Sequence, residues 1–202
     1  MENIVVGITG ASGVVYAQRF LQALLTKKDI FAHVSISEAA LRVIHHELGI
    51  DLNYEKPNFE ELLGIPADKI TYYNNSNIST TIASSQYPIK AMIIVPCSMN
   101  TLCSIAHGIA SNLIQRVASV TIKERRKLVL VPRETPLSSI HLEAMLKLSS
   151  VGTCILPAMP GFYHNPGTLN DQVDFVVAKI LDMLGIKHSL IPIWQSGNDK
   201  SE

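Results

Sequence analysis

The feature that most restricts the fold of this chain is a repeated alternation of short apolar runs with segments of helical periodicity. Five runs rich in Val, Ile and Leu have the length of strands, and apolar residues recur every three or four positions in the segments that follow them. This order predicts parallel strands joined by right-handed helical crossovers. The predicted strands cover residues 4–8, 31–36, 91–95, 128–131 and 153–156.

Most of these runs are continuously apolar, which is typical of strands that helices cover on both faces. The predicted fold is therefore a three-layer, doubly wound parallel α/β sheet, Rossmann-like or flavodoxin-like. Helices are predicted over residues 14–25, 38–48, 101–110, 113–124, 138–150 and 169–184. Between residues 49 and 87 the periodicity weakens, and we expect an excursion near the site. We expect one domain over residues 1–185 and a C-terminal arm over residues 186–202.

Charge and composition exclude several classes of function. The 17 Lys and Arg residues balance 17 Asp and Glu residues, so no overall charge draws the protein to nucleic acid or anionic lipid. No apolar run reaches the roughly 18 residues that a membrane span needs, and we expect a cytoplasmic protein. The three cysteines lack the paired spacing of metal ligands, so we expect reduced core thiols and no metal site. With 47% hydrophobic residues, part of the surface is expected to lie between subunits.

Small residues follow two of the predicted strands at the position where open α/β sheets bind phosphorylated ligands. Gly10, Ala11 and Ser12 come after the first strand, in a run that is neither the dinucleotide G-x-G-x-x-G motif nor a P-loop. A tight turn with Ser12 as a helix cap is the alternative interpretation. The third strand ends in a run from Ser98 to Thr101, whose hydroxyl groups could hold a ligand or could only cap a helix.

Cationic side chains are concentrated in the second half of the chain. Arg125 and Arg126 are interpreted as a solvated helix end. Arg133 and Glu134 differ, because they lie between two prolines after the fourth strand, where a charged pair is costly unless it engages a ligand. Tyr163 belongs to a proline-rich loop after the fifth strand. We expect these groups, together with Lys123, to lie at one end of the sheet.

These segments together carry a resemblance to a known family. The most specific are residues 10–13, residues 113–126 with the run Lys-Glu-Arg-Arg at 123–126, residues 131–136 and residues 160–164. With them the chain closely resembles the UbiX-type flavin prenyltransferases, formerly described as aromatic-acid decarboxylases. The resemblance implies transfer of a dimethylallyl group, supplied as the monophosphate, to N5 and C6 of reduced FMN. The prenylated FMN product serves UbiD-type decarboxylases, in quinone synthesis or aromatic-acid breakdown. It also implies a metal-independent homododecamer with sites at subunit interfaces.

The resemblance also implies roles for particular residues. The residues assigned to the flavin nucleotide are Gly10, Ala11, Ser12, Ser37, Ser98, Met99, Asn100, Thr101 and Arg133. Those assigned to the prenyl phosphate are Arg116, Lys123, Tyr163 and Lys179, with Trp194 where the tail approaches the site. Those assigned to catalysis are Glu47, Lys123 and Glu134. The chain departs from the family's pattern at Lys179, usually Arg, at the pair Met99 and Asn100, and at Ser85 and Gln86, where a glycine is usual.

Two other functions remain as alternatives. One is an FMN-dependent flavoprotein of the cysteine-decarboxylase type, which shares the architecture but oxidises a cysteinyl substrate. Lys123 with Arg133 and Glu134 argues against it. The other is a non-catalytic flavin carrier, against which Glu47 and Glu134 argue because a carrier has no need of catalytic carboxylates.

Overall fold

The strands form one parallel sheet in the computed structural model, which describes residues 1–192. They are β1 Glu2–Ile8, β2 Ile30–Ile36, β3 Ile70–Tyr72, β4 Ala91–Cys97, β5 Lys127–Pro132 and β6 Cys154–Ile155. Their order in the sheet is β3-β2-β1-β4-β5-β6, and every neighbouring pair is parallel. The winding therefore reverses between β1 and β4, which confirms the doubly wound fold and fixes its switch point.

Helices cover both faces of this sheet. They are α1 Val14–Leu25, α2 Glu38–Leu48, α3 Phe59–Leu63, α4 Met99–Ala106, α5 Leu113–Lys123, α6 Ser139–Ser150 and α7 Leu169–Leu184. Alternate residues of β1 divide between two cores: Ile4, Val6 and Ile8 pack with α1 and α7, and Val5 packs with α4, α5 and α6. Among residues 1–192, none of the helices is long and apolar enough to cross a membrane.

The structure corrects the sequence prediction between residues 49 and 87 and at the ends of several helices and strands. The sheet has a sixth strand, β3, which at three partly exposed residues was too short to leave a periodic pattern. The helix predicted at 101–110 is α4, which begins at Met99 because Ser98 caps it. The last predicted strand, 153–156, shortens to Cys154–Ile155. Residues 186–192 pack back on the fold, with Ile186 buried; the rest of the expected arm, with Trp194, lies outside the described residues.

Helix α2 packs against the loop between β1 and α1. A Cβ atom on Gly10 would lie 2.6 Å from the Cβ of Ala39 in the first turn of α2. At the other end of the helix, both carboxylate oxygens of Glu47 accept a hydrogen bond from the amide of Gly13, each at 3.0 Å, and one also accepts from the amide of Val14 at 3.0 Å. Gly10 is thus required first by the packing of α2, and α2 fixes the shape of the loop.

We predict that Gly10→Ala lowers the free energy of unfolding by roughly 1–3 kcal/mol, because the new methyl group overpacks the contact with Ala39. Urea unfolding followed by far-UV circular dichroism measures the change. Gly167→Ala is the matched control, since its added Cβ meets nothing closer than Asp171 Oδ2 at 3.8 Å. Equal transition midpoints for the two variants would contradict the packing argument.

Candidate functional site

The buried hydroxyl group of Thr9 joins the ends of β1 and β4 at the switch point. It donates a hydrogen bond to the carbonyl oxygen of Pro96 at 2.8 Å and accepts one from the amide of Ser98 at 2.7 Å. The side chain is 2% exposed. Two loops that lie far apart in sequence are thereby held side by side. Sequence reasoning missed Thr9, because a single threonine after a strand carries no distinguishing signal.

Three helices begin beside this junction, and they differ in charge. The N-terminus of α1 is capped by the carboxylate of Glu47, and its N-cap residue, Gly13, has no side chain to do so. The interpretation of Ser12 as the cap is therefore wrong. Helix α2 is capped by Ser37 and has Glu38 in its first turn. Helix α4 has no acidic residue in its first turn. Of these three helix N-termini, that of α4 is the most favourable for an anion.

Hydroxyl groups line the N-terminus of α4. Ser98 Oγ accepts a hydrogen bond from the amide of Thr101 at 3.3 Å and donates one to Thr101 Oγ1 at 3.1 Å. Met99 and Asn100 occupy the first two helical positions, whose amides have no intrahelical acceptor. Asn100 is exposed and Met99 is buried. The segment Ser98 to Thr101 therefore caps its helix and also presents free amides, so the two interpretations of it are compatible.

Arg133 and Glu134 follow β5 at the same edge of the sheet. Arg133 Nε donates a hydrogen bond to the carbonyl oxygen of Ser12 at 3.3 Å, reaching over the end of β4 to the loop after β1. Glu134 Oε1 accepts from the amide of Thr135 at 3.1 Å. The structure thus brings all nine residues that the resemblance assigned to the flavin to one edge of the sheet: Gly10, Ala11, Ser12, Ser37, Ser98, Met99, Asn100, Thr101 and Arg133. The two carboxylates Glu47 and Glu134 lie at the same edge.

Lys123 lies at the opposite edge of the sheet. It ends α5, four residues before Lys127 begins β5 at that strand's amino end. Its ammonium group pairs with Glu124 at 3.2 Å, and it lines a cavity of about 500 Å³ with Val151 and Gly152. The expectation that Lys123 gathers with Arg133 at one end of the sheet is wrong within a single chain, because α5 runs antiparallel to the strands.

Arg116 and Arg126, near the two ends of α5, have different surroundings. Arg116 is exposed in the first turn of α5, toward the carboxyl edge of the sheet, about 10 Å along the helix from Lys123. Arg126 donates to the carbonyl oxygens of Ser85 at 2.6 Å and Tyr87 at 2.8 Å. Arg126 therefore holds the loop before β4, so its interpretation as part of a solvated helix end is wrong, whereas Arg125 is exposed there as expected.

Tyr163 and Lys179 lie at a third place, where the loop after β6 packs against helix α7. The ring of Tyr163 lies edge-on to that of Phe175, with centroids 5.6 Å apart, and Lys179 Nζ is 5.8 Å from the same ring. Both residues line a cavity of about 500 Å³. Asp182 Oδ2 is 3.8 Å from Lys179 Nζ, and its other oxygen is 3.0 Å from His188 Nε2. Sequence reasoning missed Asp182 and His188, which support the cation from one helical turn away and from the following segment.

The cysteines take no part in this chemistry. Cys97, Cys103 and Cys154 are free thiols, and Cys97 is fully buried at the end of β4. Burial raises the pKa of all three thiols. They therefore remain protonated at neutral pH and are poor nucleophiles. The expectation of core thiols is confirmed for Cys97, but Cys103 and Cys154 are only partly buried.

Comparison with known proteins identifies the relatives of this chain. The model of the Flavoprotein family matches residues 1–184. A flavin prenyltransferase UbiX of Halalkalibacterium halodurans is 48% identical over 194 residues, which cover 96% of this chain and 94% of that protein.

Solved structures with a similar fold include members of the same family. A dodecameric FMN-dependent UbiX-like decarboxylase from Escherichia coli O157:H7 is 40% identical, has a TM-score of 0.83 and is matched over 96% of this chain and 99% of its own. AnUbiX, solved in complex with FMN and dimethylallyl pyrophosphate, is 36% identical, with a TM-score of 0.85 and coverage of 96% and 97%.

The fold and the switch-point edge define a doubly wound α/β protein of the flavoprotein class. The similarity over nearly the whole length is more specific. The chain belongs to the UbiX-type flavin prenyltransferase family, which confirms the resemblance carried by its sequence motifs.

We predict that Thr9→Val lowers the free energy of unfolding by roughly 1–3 kcal/mol, because the partly buried amide of Ser98 loses its acceptor and the carbonyl oxygen of Pro96 loses its donor. Affinity for FMN should fall as well, since the ends of β1 and β4 are no longer held together. Chemical unfolding and fluorescence titration with FMN measure the two effects. Thr9→Ser keeps the hydroxyl group and should stay near wild type; equal losses in both variants would show that the methyl group, and not the hydrogen bonds, matters.

Proposed function

We propose that this protein joins a dimethylallyl group from dimethylallyl monophosphate to N5 and C6 of reduced FMN, making prenylated FMN for a UbiD-type decarboxylase. The observation that carries the proposal is the match to flavin prenyltransferases over 96% of the chain. A relative solved in complex with FMN and dimethylallyl pyrophosphate supports the pairing of a flavin nucleotide with a phosphorylated dimethylallyl donor. The site geometry then indicates which residues do what.

The carboxyl edge of β1 and β4 fits a flavin nucleotide. We place its phosphate at the N-terminus of α4, where Ser98 and Thr101 offer hydroxyl groups and Asn100 a free amide. The same phosphate is disfavoured at α1 and α2, because Glu47 and Glu38 already supply negative charge there. Gly10, Ala11 and Ser12 supply the surface beside it, and Ser37 stands at the end of the adjacent strand β2. Arg133, anchored on Ser12, covers this ligand from the β5 side.

The remaining residues act on the prenyl donor. Reduced FMN, when bound, supplies the electron-rich centre that accepts the dimethylallyl group. Lys123, Arg116 and Lys179 neutralise the phosphate and Tyr163 donates a hydrogen bond to it, which makes it a better leaving group in a site that excludes water. Glu134 would accept the proton that N5 or C6 of the flavin loses when the new bond forms there. Glu47 stabilises positive charge on the allyl group from its fixed position on the amides of Gly13 and Val14.

One chain does not contain the whole site. Lys123 lies at the amino edge of the sheet and Arg133 and Glu134 at the carboxyl edge. If Lys123 acts with them on the prenyl phosphate, as we propose, it comes from a second copy. An assembly of this kind is supported by the dodecameric relative and by the 47% hydrophobic composition. We therefore propose a homododecamer in which each prenyl phosphate is held by residues of more than one copy.

We also propose that the protein works in the cytoplasm. A reducing compartment maintains both reduced FMN and free thiols such as those of Cys97, Cys103 and Cys154. A UbiD-type decarboxylase in the same compartment can receive the product directly.

The activity is tested by anaerobic incubation with reduced FMN and dimethylallyl monophosphate, followed by mass spectrometry of the released flavin. We predict a flavin heavier by one dimethylallyl unit, and parallel reactions with the diphosphate show which donor is preferred. Glu134→Gln should bind FMN with wild-type affinity but form no product, because its carboxylate serves proton transfer. An unchanged flavin mass in the wild-type reaction would leave only a flavin carrier or a different flavoenzyme.

The shared site is tested by mixing two inactive variants, Lys123→Ala and Glu134→Gln, after dissociating and reassembling the subunits. If Lys123 acts on a neighbouring copy, a site can be complete in the mixture. Its Glu134 then belongs to a Lys123→Ala subunit and its Lys123 to a Glu134→Gln subunit. We predict recovery of roughly a quarter of the wild-type rate, from random pairing. If both residues acted within one chain, every mixed site would lack one of them and no activity would return. Each variant reassembled alone is the control.

A further inference from the structure

Helix α6 is apolar on two sides. Its inner side, with Ala144 and Leu148, is buried against the sheet layer. On its outer side Leu142 and Leu146 are 53% and 68% exposed, and Val151, just past its end, is 58% exposed. Leu142 and Leu146 are four residues apart and therefore lie on the same side of the helix. A helix that exposes such a stripe buries it against another element in the working protein.

The charges beside this stripe are complementary to those of a second, antiparallel copy of α6. Glu143 and Lys147 are both exposed, one helical turn apart, next to Leu142 and Leu146. If a second copy of α6 packs antiparallel, about a twofold axis through the middle of the helix, Glu143 faces the partner's Lys147. Its own Lys147 then faces the partner's Glu143. A parallel twofold arrangement would instead turn Glu143 and Lys147 toward the other flank of the partner helix, where this pairing cannot form.

We propose that α6 is an interface between two copies of this chain, packed antiparallel on α6 of the second copy with Leu142 and Leu146 at its centre. The helix begins five residues after Glu134 and ends at Ser150, next to Val151 and Gly152 in the cavity that Lys123 lines. Antiparallel packing therefore brings the Lys123 end of one copy toward the Glu134 end of the other. This last consequence rests on the proposed function; the interface itself does not.

The test uses two charge reversals that are each self-repelling and mutually complementary. Glu143→Lys leaves two positive charges on the helix, and Lys147→Glu leaves two negative charges. We expect each variant alone to self-associate roughly tenfold more weakly than wild type, and an equal mixture to reassemble. Sedimentation velocity measures the assembly. Restored pairing inside one helix cannot explain recovery, because the Glu143 and Lys147 pair is broken in both variants.

Controls separate the interface from folding and from activity. Far-UV circular dichroism checks that each variant is folded, and the matched reversals Lys28→Glu and Asp29→Lys alter an exposed turn between α1 and β2. Variants that assemble like wild type, or a mixture that stays dissociated, would overturn the proposal. Because the readout is assembly and not turnover, a failure to prenylate flavin leaves the outcome interpretable.

A second measurement uses the wild-type chain, in case a reversal prevents folding. An equal mixture of ¹⁴N-labelled and ¹⁵N-labelled protein is reassembled and treated with a carbodiimide, which couples carboxylates to adjacent amines. A cross-linked peptide that joins Glu143 of one isotope to Lys147 of the other is expected. Finding this pair only within one isotope, or not at all, would overturn the antiparallel contact.

Discussion

The hydrogen bonds of the Thr9 hydroxyl group hold together the part of the fold on which the site depends. A doubly wound sheet leaves a crevice where its winding reverses, because the connections after the two central strands turn away to opposite faces. In this chain those strands are β1 and β4, and Thr9 bridges them through Pro96 and Ser98. The loop after β1 is further fixed by α2, which packs on Gly10 and binds the amide of Gly13 through Glu47. The crevice is thus shaped before any ligand enters.

Charge then determines which part of the crevice favours an anion. Helix N-termini attract anions, and α1, α2 and α4 all begin at this edge. Glu47 and Glu38 neutralise the first two, whereas α4 carries only hydroxyl caps and free amides. Glu47 therefore serves two purposes: its carboxylate is fixed by backbone amides, and its negative charge leaves the N-terminus of α4 as the more favourable place for an anion. Arg133, held on the carbonyl oxygen of Ser12, adds positive charge on the far side of β4.

The layers of the fold and the loops at the carboxyl edge could be predicted from sequence, because the buried strands and α1 carry strong periodic signals. Three features could not. β3 is three residues long and lies at the edge of the sheet, so it has no pattern to detect. The contact of Glu47 with Gly13 joins residues 34 positions apart, and its geometry depends on how α2 packs. Lys123 was expected beside Arg133 because both belong to specific motifs, but motif membership does not specify the edge of the sheet or the copy that supplies a side chain.

The contacts of Lys179 within its own chain are weak enough to leave its ammonium group available to a ligand. Its ammonium group lies over the face of Phe175, 3.8 Å from an Asp182 carboxylate that His188 also contacts. An arginine there would tend to engage Asp182 through two parallel hydrogen bonds, which fixes the guanidinium in the plane of that carboxylate. Lysine makes one long ion pair and keeps donors free to turn toward a phosphate. The same reasoning applies to Lys123, whose contact within its own chain is an exposed pair with Glu124. Such surface pairs contribute little to stability, so both ammonium groups can leave them at little cost, as the proposed phosphate contacts require.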